Sequence, residues 1–272
     1  MSIVASGEPE IIVVPDPDAG AVLAAERIAA ALTRAASARG RADWVTTGGS
    51  TPIGIYRQLS EPPLRERVPW SDVQVWWGDD RFVPRDHPLS NVKPLDDILL
   101  DTAGARAGTA SSARGGVPLP VANLHPIPTG SSIAAGLDIQ ACAAAAAAEL
   151  EAADLALLDG WPVFDLILLG IGGDGHLLSV FPNSPTFDDP AWVLGVAAPD
   201  HIEPHVPRVT MNSAVLAVAR QILVVSNGSS KADIVGTIFG SVRDERRWPA
   251  QLARRPNATW ILDAAAAARL SR

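Results

Sequence analysis

A carboxylate and an imidazole lie two residues apart in a glycine-rich turn, at Asp174 and His176. The turn follows the apolar run Leu166 to Leu169, which has no helical period and indicates a strand buried on both faces of a parallel sheet. The carboxyl ends of such strands border the ligand crevices of α/β proteins. We therefore predict that these two side chains do chemistry there, with the histidine accepting a proton near neutral pH.

The glycines of this turn also satisfy a dinucleotide-binding pattern, at Gly170, Gly172 and Gly175. A dinucleotide-binding turn opens a long helix, whereas Pro182 and Pro185 interrupt any helix here. No acidic residue ends a following strand about 20 residues further on, where a ribose partner is expected. We therefore expect no dinucleotide cofactor. A turn whose histidine is merely hydrogen-bonded is the simpler alternative for this segment taken alone.

A strand, a glycine loop and a helix follow one another between Val45 and Leu59. Thr51 suits the helix N-cap. The bare amides of Gly48 and Gly49, the Ser50 hydroxyl and the positive end of the helix dipole together predict a phosphate cradle. No G-x-x-x-x-G-K-[ST] motif is present, so a sugar phosphate suits the loop better than a nucleoside triphosphate does. An ordinary capped helix remains the alternative.

Charged residues end the next apolar strand, at Asp79, Asp80 and Arg81. Charges at the end of a buried strand cost free energy unless they are paired or used in function. Arg81 could therefore pair with an aspartate, or present a fixed cation to a carbonyl oxygen or a phosphate. The loop that follows, which reaches Asn91, could cover a pocket.

Lysine is rare in the chain, where Lys93 and Lys231 are the only two. Lys231 follows a glycine loop at the start of a predicted helix, and an ammonium group there suits phosphate binding. A solvated surface lysine is the alternative. Arg208, in a short predicted strand, is a further candidate cation for the same anion.

These segments together resemble the 6-phosphogluconolactonase family over nearly the whole chain. The matching motifs are a GGSTP loop, an Asp-Asp-Arg segment with Val-Pro and Ser-Asn after it, a G-x-G-x-D-G-H-x-x-S-x-F-P signature, and Pro-Arg-Val-Thr, Gly-x-x-Lys-Ala and Trp-x-Leu-Asp segments. They stand, in that order, at Gly48 to Pro52, Asp79 to Asn91, Gly170 to Pro182, Pro207 to Thr210, Gly228 to Ala232 and Trp260 to Asp263.

The chain departs from the family pattern at a few positions. Asp80 stands where the family usually has glutamate, Leu177 and Leu178 replace smaller residues, and Ser229 with Ser230 replaces a Glu-Gly pair. The family often has a lysine in the segment before the Arg-x-Thr motif. Residues 200–207 offer only His201 and His205 instead, and we assign no role to either.

The resemblance implies hydrolysis of 6-phospho-D-glucono-1,5-lactone to 6-phosphogluconate, a step of the oxidative pentose phosphate pathway, without a cofactor. We expect His176 to act as general base on water, oriented by Asp174 or Asp79, and Arg81 to stabilise the oxyanion. The substrate and its phosphate are expected to bind Gly48, Gly49, Ser50, Thr51, Asn91, Arg208 and Lys231.

Other chemistries fit less well. Glucosamine-6-phosphate deaminases and isomerases share the DGH turn but typically continue toward Phe-Asn-Glu-Pro and have Asp-Glu-Tyr where this chain has Asp-Asp-Arg. A non-catalytic sugar-phosphate sensor would need an added DNA-binding element, and no basic helix-turn-helix extension is visible.

The sequence has no G-x-S-x-G elbow for a serine nucleophile. It also has no H-E-x-x-H helix for zinc, and Pro204 disfavours a helix joining His201 to His205. We expect no metal.

Predicted strands alternate with helical stretches, which indicates one α/β domain over residues 1–272. We expect a doubly wound, mostly parallel sheet with helices on both faces, a NagB/Rossmann-like architecture. The strands are predicted near Ile11, Trp44, Val73, Leu166, Val193, Ile222 and Thr259. Residues 141–150 and 264–270 are predicted as alanine-rich helices, and residues 102–120 as a flexible surface loop.

The formal net charge of −8 argues against nucleic acid or an anionic membrane as a partner. An anionic substrate must therefore be held by local cations. Cys142 is the only cysteine, so no intrachain disulfide can form. The first residues show neither a secretion signal nor a membrane span, and a cytoplasmic protein is expected. We expect a monomer or a weak homo-oligomer.

Overall fold

Seven parallel strands form the main sheet of the computed structural model, which describes residues 7–100 and 116–270. With all strands numbered along the chain, the spatial order is β1-β12-β11-β8-β2-β3-β5. The strand order reverses between β8 and β2, so a crevice opens there at the carboxyl ends of the strands. The strands are β1 Glu10–Val14, β2 Ala42–Thr46, β3 Val73–Trp77, β5 Leu124–His125, β8 Leu166–Leu169, β11 Ile222–Ser226 and β12 Ala258–Asp263.

A three-stranded antiparallel sheet lies beside the main one and consists of β4 Asp79–Arg81, β10 Arg208–Met211 and β9 Val193–Val196. The strand predicted near Val193 therefore exists but does not belong to the parallel sheet. Parallel pairing needs a long crossover, usually a helix. Only a 3₁₀ turn, Pro185–Asp188, lies between β8 and β9. A short hairpin joins β6 Leu157–Leu158 to β7 Trp161–Pro162.

The helices cover both faces of the main sheet, which confirms the doubly wound arrangement. Residues of α1 and α2 pack in one apolar core, and residues of α5 and α7 pack in a second. Strand side chains alternate between the two cores, as Trp44 and Val45 of β2 do. The helices are α1 Pro17–Arg39, α2 Thr51–Leu59, α3 Leu64–Arg67, α4 Thr129–Ala134, α5 Ile139–Ala152, α6 Val215–Val218 and α7 Ala232–Ile238.

Several shorter elements complete the described chain. One π-helical turn spans Leu95–Leu99. The 3₁₀ turns are Trp70–Asp72, Val121–Asn123, Pro185–Asp188, Ser229–Lys231 and Pro249–Ala253. Within residues 7–100 and 116–270, no helix has the length and hydropathy needed to cross a membrane.

The helix predicted for residues 264–270 is wrong. These residues form successive turns, in which Ala267 N–H donates to the Asp263 carbonyl while Leu270 N–H donates to the Ala267 carbonyl. Hydrogen bonds of the α-helical i→i+4 and the 3₁₀ i→i+3 spacing are thus mixed. This fits a segment too short to offset the cost of nucleating an α-helix. Of the predicted loop at 102–120, residues 102–115 lie outside the described residues. Val117 and Leu119 are buried in the core.

Candidate active site

A cleft of about 280 Å³ opens where the strand order reverses. The loops after β2, β3 and β8 form most of its wall. Every residue predicted for the site lines the cleft, except Asp174, which lies behind His176. The predicted residues in the wall are Gly48, Gly49, Ser50, Thr51, Asp79, Arg81, Asn91, His176, Arg208 and Lys231.

The turn after β8 sets the orientation of the His176 ring. Asp174 Oδ1 lies 2.6 Å from His176 Nδ1 and also accepts the His176 backbone N–H at 3.1 Å. The Gly172 N–H donates to the His176 carbonyl at 2.8 Å, which closes the turn. Among the described residues, nothing hydrogen-bonds to Nε2 of His176. The ring therefore offers the cleft one nitrogen that is free to accept a proton.

Gly172 is required by this geometry. A Cβ at that position would lie 2.0 Å from His176 Nδ1 and 2.5 Å from Asp174 Oδ1. Gly175 has φ +87°, which favours glycine. The pattern that mimics a dinucleotide loop therefore serves to bring the carboxylate and the imidazole together.

Asp174 has a second histidine partner. His201 Nε2 lies 3.0 Å from Asp174 Oδ2. Burial disfavours the Asp174 carboxylate, but its hydrogen bonds to His176 and His201 outweigh that cost and hold its pKa well below the usual range. No sequence motif predicts this contact, because His201 lies in residues 200–207, where the chain lacks the lysine that the family often has.

Asp79 is buried and does not contact His176. Its Oδ2 accepts the Ser179 hydroxyl at 2.6 Å, and its Oδ1 accepts Asn91 Nδ2 at 3.0 Å. Of the two aspartates considered as partners of the histidine, Asp174 is therefore the one in contact with it. Asp79 instead joins β4 to the loop that ends at Asn91.

Arg81 forms no ion pair with either neighbouring aspartate in the described chain. Its Nη1 donates to the Leu89 carbonyl at 2.8 Å, and its buried Nε has no partner among the described residues. Asp80 is turned away from the guanidinium and accepts the backbone N–H groups of Arg81 and Asn91 at 2.8 and 2.7 Å. The Ser90 hydroxyl donates to its other oxygen at 3.2 Å. Among the described residues, the clasp between Arg81 and an aspartate that the sequence left open is absent.

The glycine loop leaves the start of α2 open. Ser50, rather than the predicted Thr51, occupies the N-cap position, and its side chain makes no capping hydrogen bond. Gly49 has φ +72°, and a Cβ on Gly48 would lie 1.9 Å from Asn91 Oδ1. The first amides of α2 therefore remain available to an anion, together with the positive end of the helix dipole.

Two further cations, Arg208 and Lys231, line the cleft. Arg208 is buried, donates to the Pro204 carbonyl at 3.1 Å and has an unpartnered Nε among the described residues. Its guanidinium lies over the Phe181 ring, 5.4 Å from the centroid. Lys231 Nζ donates to the Ile171 carbonyl at 2.8 Å, and burial lowers the pKa of this lysine. The cleft thus holds three cationic side chains with unused hydrogen-bonding capacity.

Several wall residues were not predicted from the sequence. They are Thr47, Gly170, Ile171, Gly172, Gly173, Leu178, Ile202 and Glu203. Most are apolar or contribute only backbone, so their side-chain types carry no sign of chemistry. Ile202 and Glu203 belong to the segment that joins β9 to β10, where the sequence contains no strong motif.

A family model described as "Glucosamine-6-phosphate isomerases/6-phosphogluconolactonase" matches residues 15–262. The chain belongs to this family. A 6-phosphogluconolactonase of Streptomyces coelicolor is 33% identical over 272 residues, which cover 98% of this chain and 97% of that protein. The 6-phosphogluconolactonase of Mycobacterium tuberculosis is 33% identical over 260 residues, covering 96% and 98% of the two chains.

Solved structures agree with this family and its fold. The structure of 6-phosphogluconolactonase from Trypanosoma brucei superimposes with a TM-score of 0.80 at 26% identity, covering 98% of this chain and all of that one. A monomeric glucosamine-6-phosphate deaminase gives a TM-score of 0.71 at 19% identity over 96% and 99% of the chains. At that identity the likeness shows the shared fold alone.

The adjacent glycines Gly172 and Gly173, in the turn after β8, allow a matched test of its geometry. We expect Gly172→Ala to lower the free energy of unfolding by about 1–3 kcal/mol, because its Cβ must displace the His176 ring. Gly173→Ala places its Cβ in open space, so we expect a change within about 0.5 kcal/mol. Urea denaturation measures both values, and equal losses would contradict the described packing of the ring.

Asp80 should make stability depend on pH. Burial raises its pKa to about 7, despite the hydrogen bonds from Asn91, Arg81 and Ser90. In the unfolded chain an aspartate has a pKa of about 4. Between about pH 4 and pH 7, the folded state therefore holds a proton that the unfolded state releases. The resulting stabilisation is complete below about pH 4 and is lost as the pH rises through about 7.

We therefore expect the stability of the wild type to fall relative to that of Asp80→Asn between pH 4.5 and 7.5. The expected change is on the order of 3 kcal/mol, measured by urea denaturation across this range. Parallel pH profiles for the two proteins would contradict this assignment.

Proposed function

We propose that this protein hydrolyses 6-phospho-D-glucono-1,5-lactone to 6-phosphogluconate. One observation carries the proposal: a proton-accepting imidazole and an unpaired guanidinium share a single cleft with a glycine loop and two more cations. This arrangement suits a substrate with a reactive carbonyl at one end and a phosphate at the other. The full-length similarity to 6-phosphogluconolactonases supports the same substrate.

His176 acts as the general base in this proposal. Its Nε2 takes a proton from a water molecule as the water oxygen bonds to the C1 carbonyl carbon of the lactone. The Asp174 carboxylate, 2.6 Å from Nδ1, holds the ring and stabilises the positive charge that it acquires. The C1–O5 bond then breaks, and the imidazolium returns the proton to O5. Water is thereby added across the ester bond, and no covalent bond forms between the enzyme and the substrate.

Arg81 stabilises the negative charge that develops on the carbonyl oxygen. Its bond to the Leu89 carbonyl fixes the guanidinium, and its unpartnered Nε leaves donor capacity for the oxyanion. Donors that are already in place cost no reorganisation during the reaction. Asp79 shapes this end of the cleft by holding Asn91 and Ser179, and we propose no proton transfer for it.

The phosphate binds at the other end of the cleft. The amides of Gly48 and Gly49, with Ser50 and Thr51 at the start of α2, donate hydrogen bonds to its oxygens. Lys231 supplies charge, Arg208 adds to it from beside its register partner Arg81, and Asn91 supports the loop. Binding the non-reacting phosphate places C1 beside His176, which converts binding energy into rate.

One chain supplies all these groups, so the site needs no second copy. We accordingly propose a monomer or a weak homo-oligomer. We also propose the cytoplasm as the compartment, because the oxidative pentose phosphate step implied by the family belongs there.

Removing the proposed base should abolish most turnover. We expect His176→Asn to lower kcat about 10²–10⁴-fold, because asparagine keeps a donor toward Asp174 but cannot accept the proton from water. His125→Asn, outside the cleft, should retain activity. The assay couples fresh 6-phosphogluconolactone to excess 6-phosphogluconate dehydrogenase and subtracts spontaneous hydrolysis. Wild-type turnover no faster than the spontaneous rate would exclude the proposed function.

The two lysines of the chain allow a matched test of the phosphate end. We expect Lys231→Met to raise KM about tenfold or more, because a charge-assisted hydrogen bond to phosphate contributes about 1.5–3 kcal/mol. Lys93 forms an exposed ion pair with Asp97, so Lys93→Met should leave KM unchanged. The same coupled assay measures both. Equal KM values for the two variants would place the phosphate elsewhere.

A further inference from the structure

The Asp174 carboxylate bridges two imidazoles that come from different parts of the chain. Its Oδ1 contacts His176 in the turn after β8, and its Oδ2 contacts His201 Nε2 at 3.0 Å. His201 belongs to residues 199–207, the connecting segment between β9 and β10. Both oxygens of the carboxylate are therefore held, and its plane is fixed relative to the His176 ring.

The connecting segment is otherwise tied mainly to itself. His205 Nδ1 contacts the Pro199 carbonyl at 2.7 Å, and Val206 N–H donates to the Pro204 carbonyl at 2.9 Å. Among the described residues, the bond between His201 and Asp174 is the only hydrogen bond that joins residues 200–206 to the turn after β8. It therefore links that turn to the part of the wall formed by Ile202 and Glu203.

Packing supports the same link. The His201 ring meets the Phe181 ring edge-on, with centroids 5.7 Å apart and an interplanar angle of 86°. Phe181 also packs against His176 at 4.8 Å and lies under the Arg208 guanidinium. One aromatic ring thus separates the two imidazoles while one carboxylate joins them.

We propose that His201 is a positioning residue for His176, acting through Asp174, and this proposal rests on the lactonase function proposed above. By holding Oδ2, it keeps Oδ1 directed at Nδ1 of the catalytic ring. It makes no contact with the reacting atoms.

His201 should also influence the pH dependence of the reaction. Its hydrogen bond to Asp174 raises its pKa, with a smaller contribution from Asp200, whose carboxylate lies 3.5 Å from Nδ1. A cationic His201 offsets part of the Asp174 charge that favours protonation of His176. Removing that cation should move the acid limb of the rate profile to higher pH.

The other charges around this group are present in both His201 variants and do not change that sign. Arg208 and Lys231 act on Asp174 from the cleft. Glu203, on the same segment as His201, pairs with His205 at 3.1 Å. Because the His201 side chain is 47% exposed, solvent screens its charge, and we expect a shift of only about half a pH unit.

The test compares two substitutions of His201 with a control in the same segment. His201→Gln keeps a donor that reaches Asp174 without a titratable charge, whereas His201→Leu removes both. His205→Asn keeps a donor toward the Pro199 carbonyl and does not contact Asp174. For each protein, kcat and KM are measured from pH 5 to 8 with 6-phosphogluconolactone, and urea denaturation confirms that the variants are folded.

We expect His201→Leu to lower kcat about tenfold with little change in KM, because a small misplacement of the base slows the chemical step. His201→Gln should restore kcat to within about twofold. The midpoint of the acid limb should rise by about half a pH unit in both variants and not in His205→Asn.

An unchanged kcat in His201→Leu would overturn the proposal, and so would a glutamine variant as slow as the leucine variant. A slower leucine variant with an unmoved acid limb would show only a structural contribution and would also overturn it. If the wild type itself does not exceed the spontaneous rate, the proposed function fails and this inference falls with it.

Discussion

The reversal of strand order between β8 and β2 is the constraint on which the cleft depends. Parallel strands end at one edge of the sheet, and at a reversal the connecting loops diverge and leave a crevice. Here the loops that diverge are the glycine loop before α2 and the turn that carries Asp174 and His176. The small antiparallel sheet then adds Arg81 and Arg208, which face each other across the pairing of β4 with β10. Groups distant in sequence thus meet because of topology.

The cations of the cleft share one electrostatic feature. Arg81, Arg208 and Lys231 donate to the carbonyls of Leu89, Pro204 and Ile171 respectively. None of the three forms an ion pair within the described part of the chain. A carbonyl fixes the position of a cation without neutralising it, whereas a carboxylate would do both. The cleft therefore keeps its positive charge for an anionic substrate, although the whole chain has a net charge of −8.

Much of this arrangement could be predicted from the sequence. The strand runs and glycine loops are local signals, and the rule that parallel strands end at one edge places the motifs together. Features set by long-range contacts could not be predicted from local sequence patterns. The strand at Val193 pairs antiparallel with β10, which no local pattern encodes. The choice of Asp174 over Asp79 as the partner of His176 depends on side-chain directions in a turn, and the contact of His201 depends on how a motif-free segment folds back.

A crystal structure with bound 6-phosphogluconate would show whether one cleft orients the substrate between a phosphate cradle and a catalytic histidine. We predict phosphate oxygens within about 3 Å of the amides at the start of α2 and of Lys231 Nζ. The C1 carboxylate should lie beside His176 Nε2 and Arg81. A product bound in the reverse direction, with its phosphate beside His176, or bound outside the cleft, would contradict the proposed site and orientation.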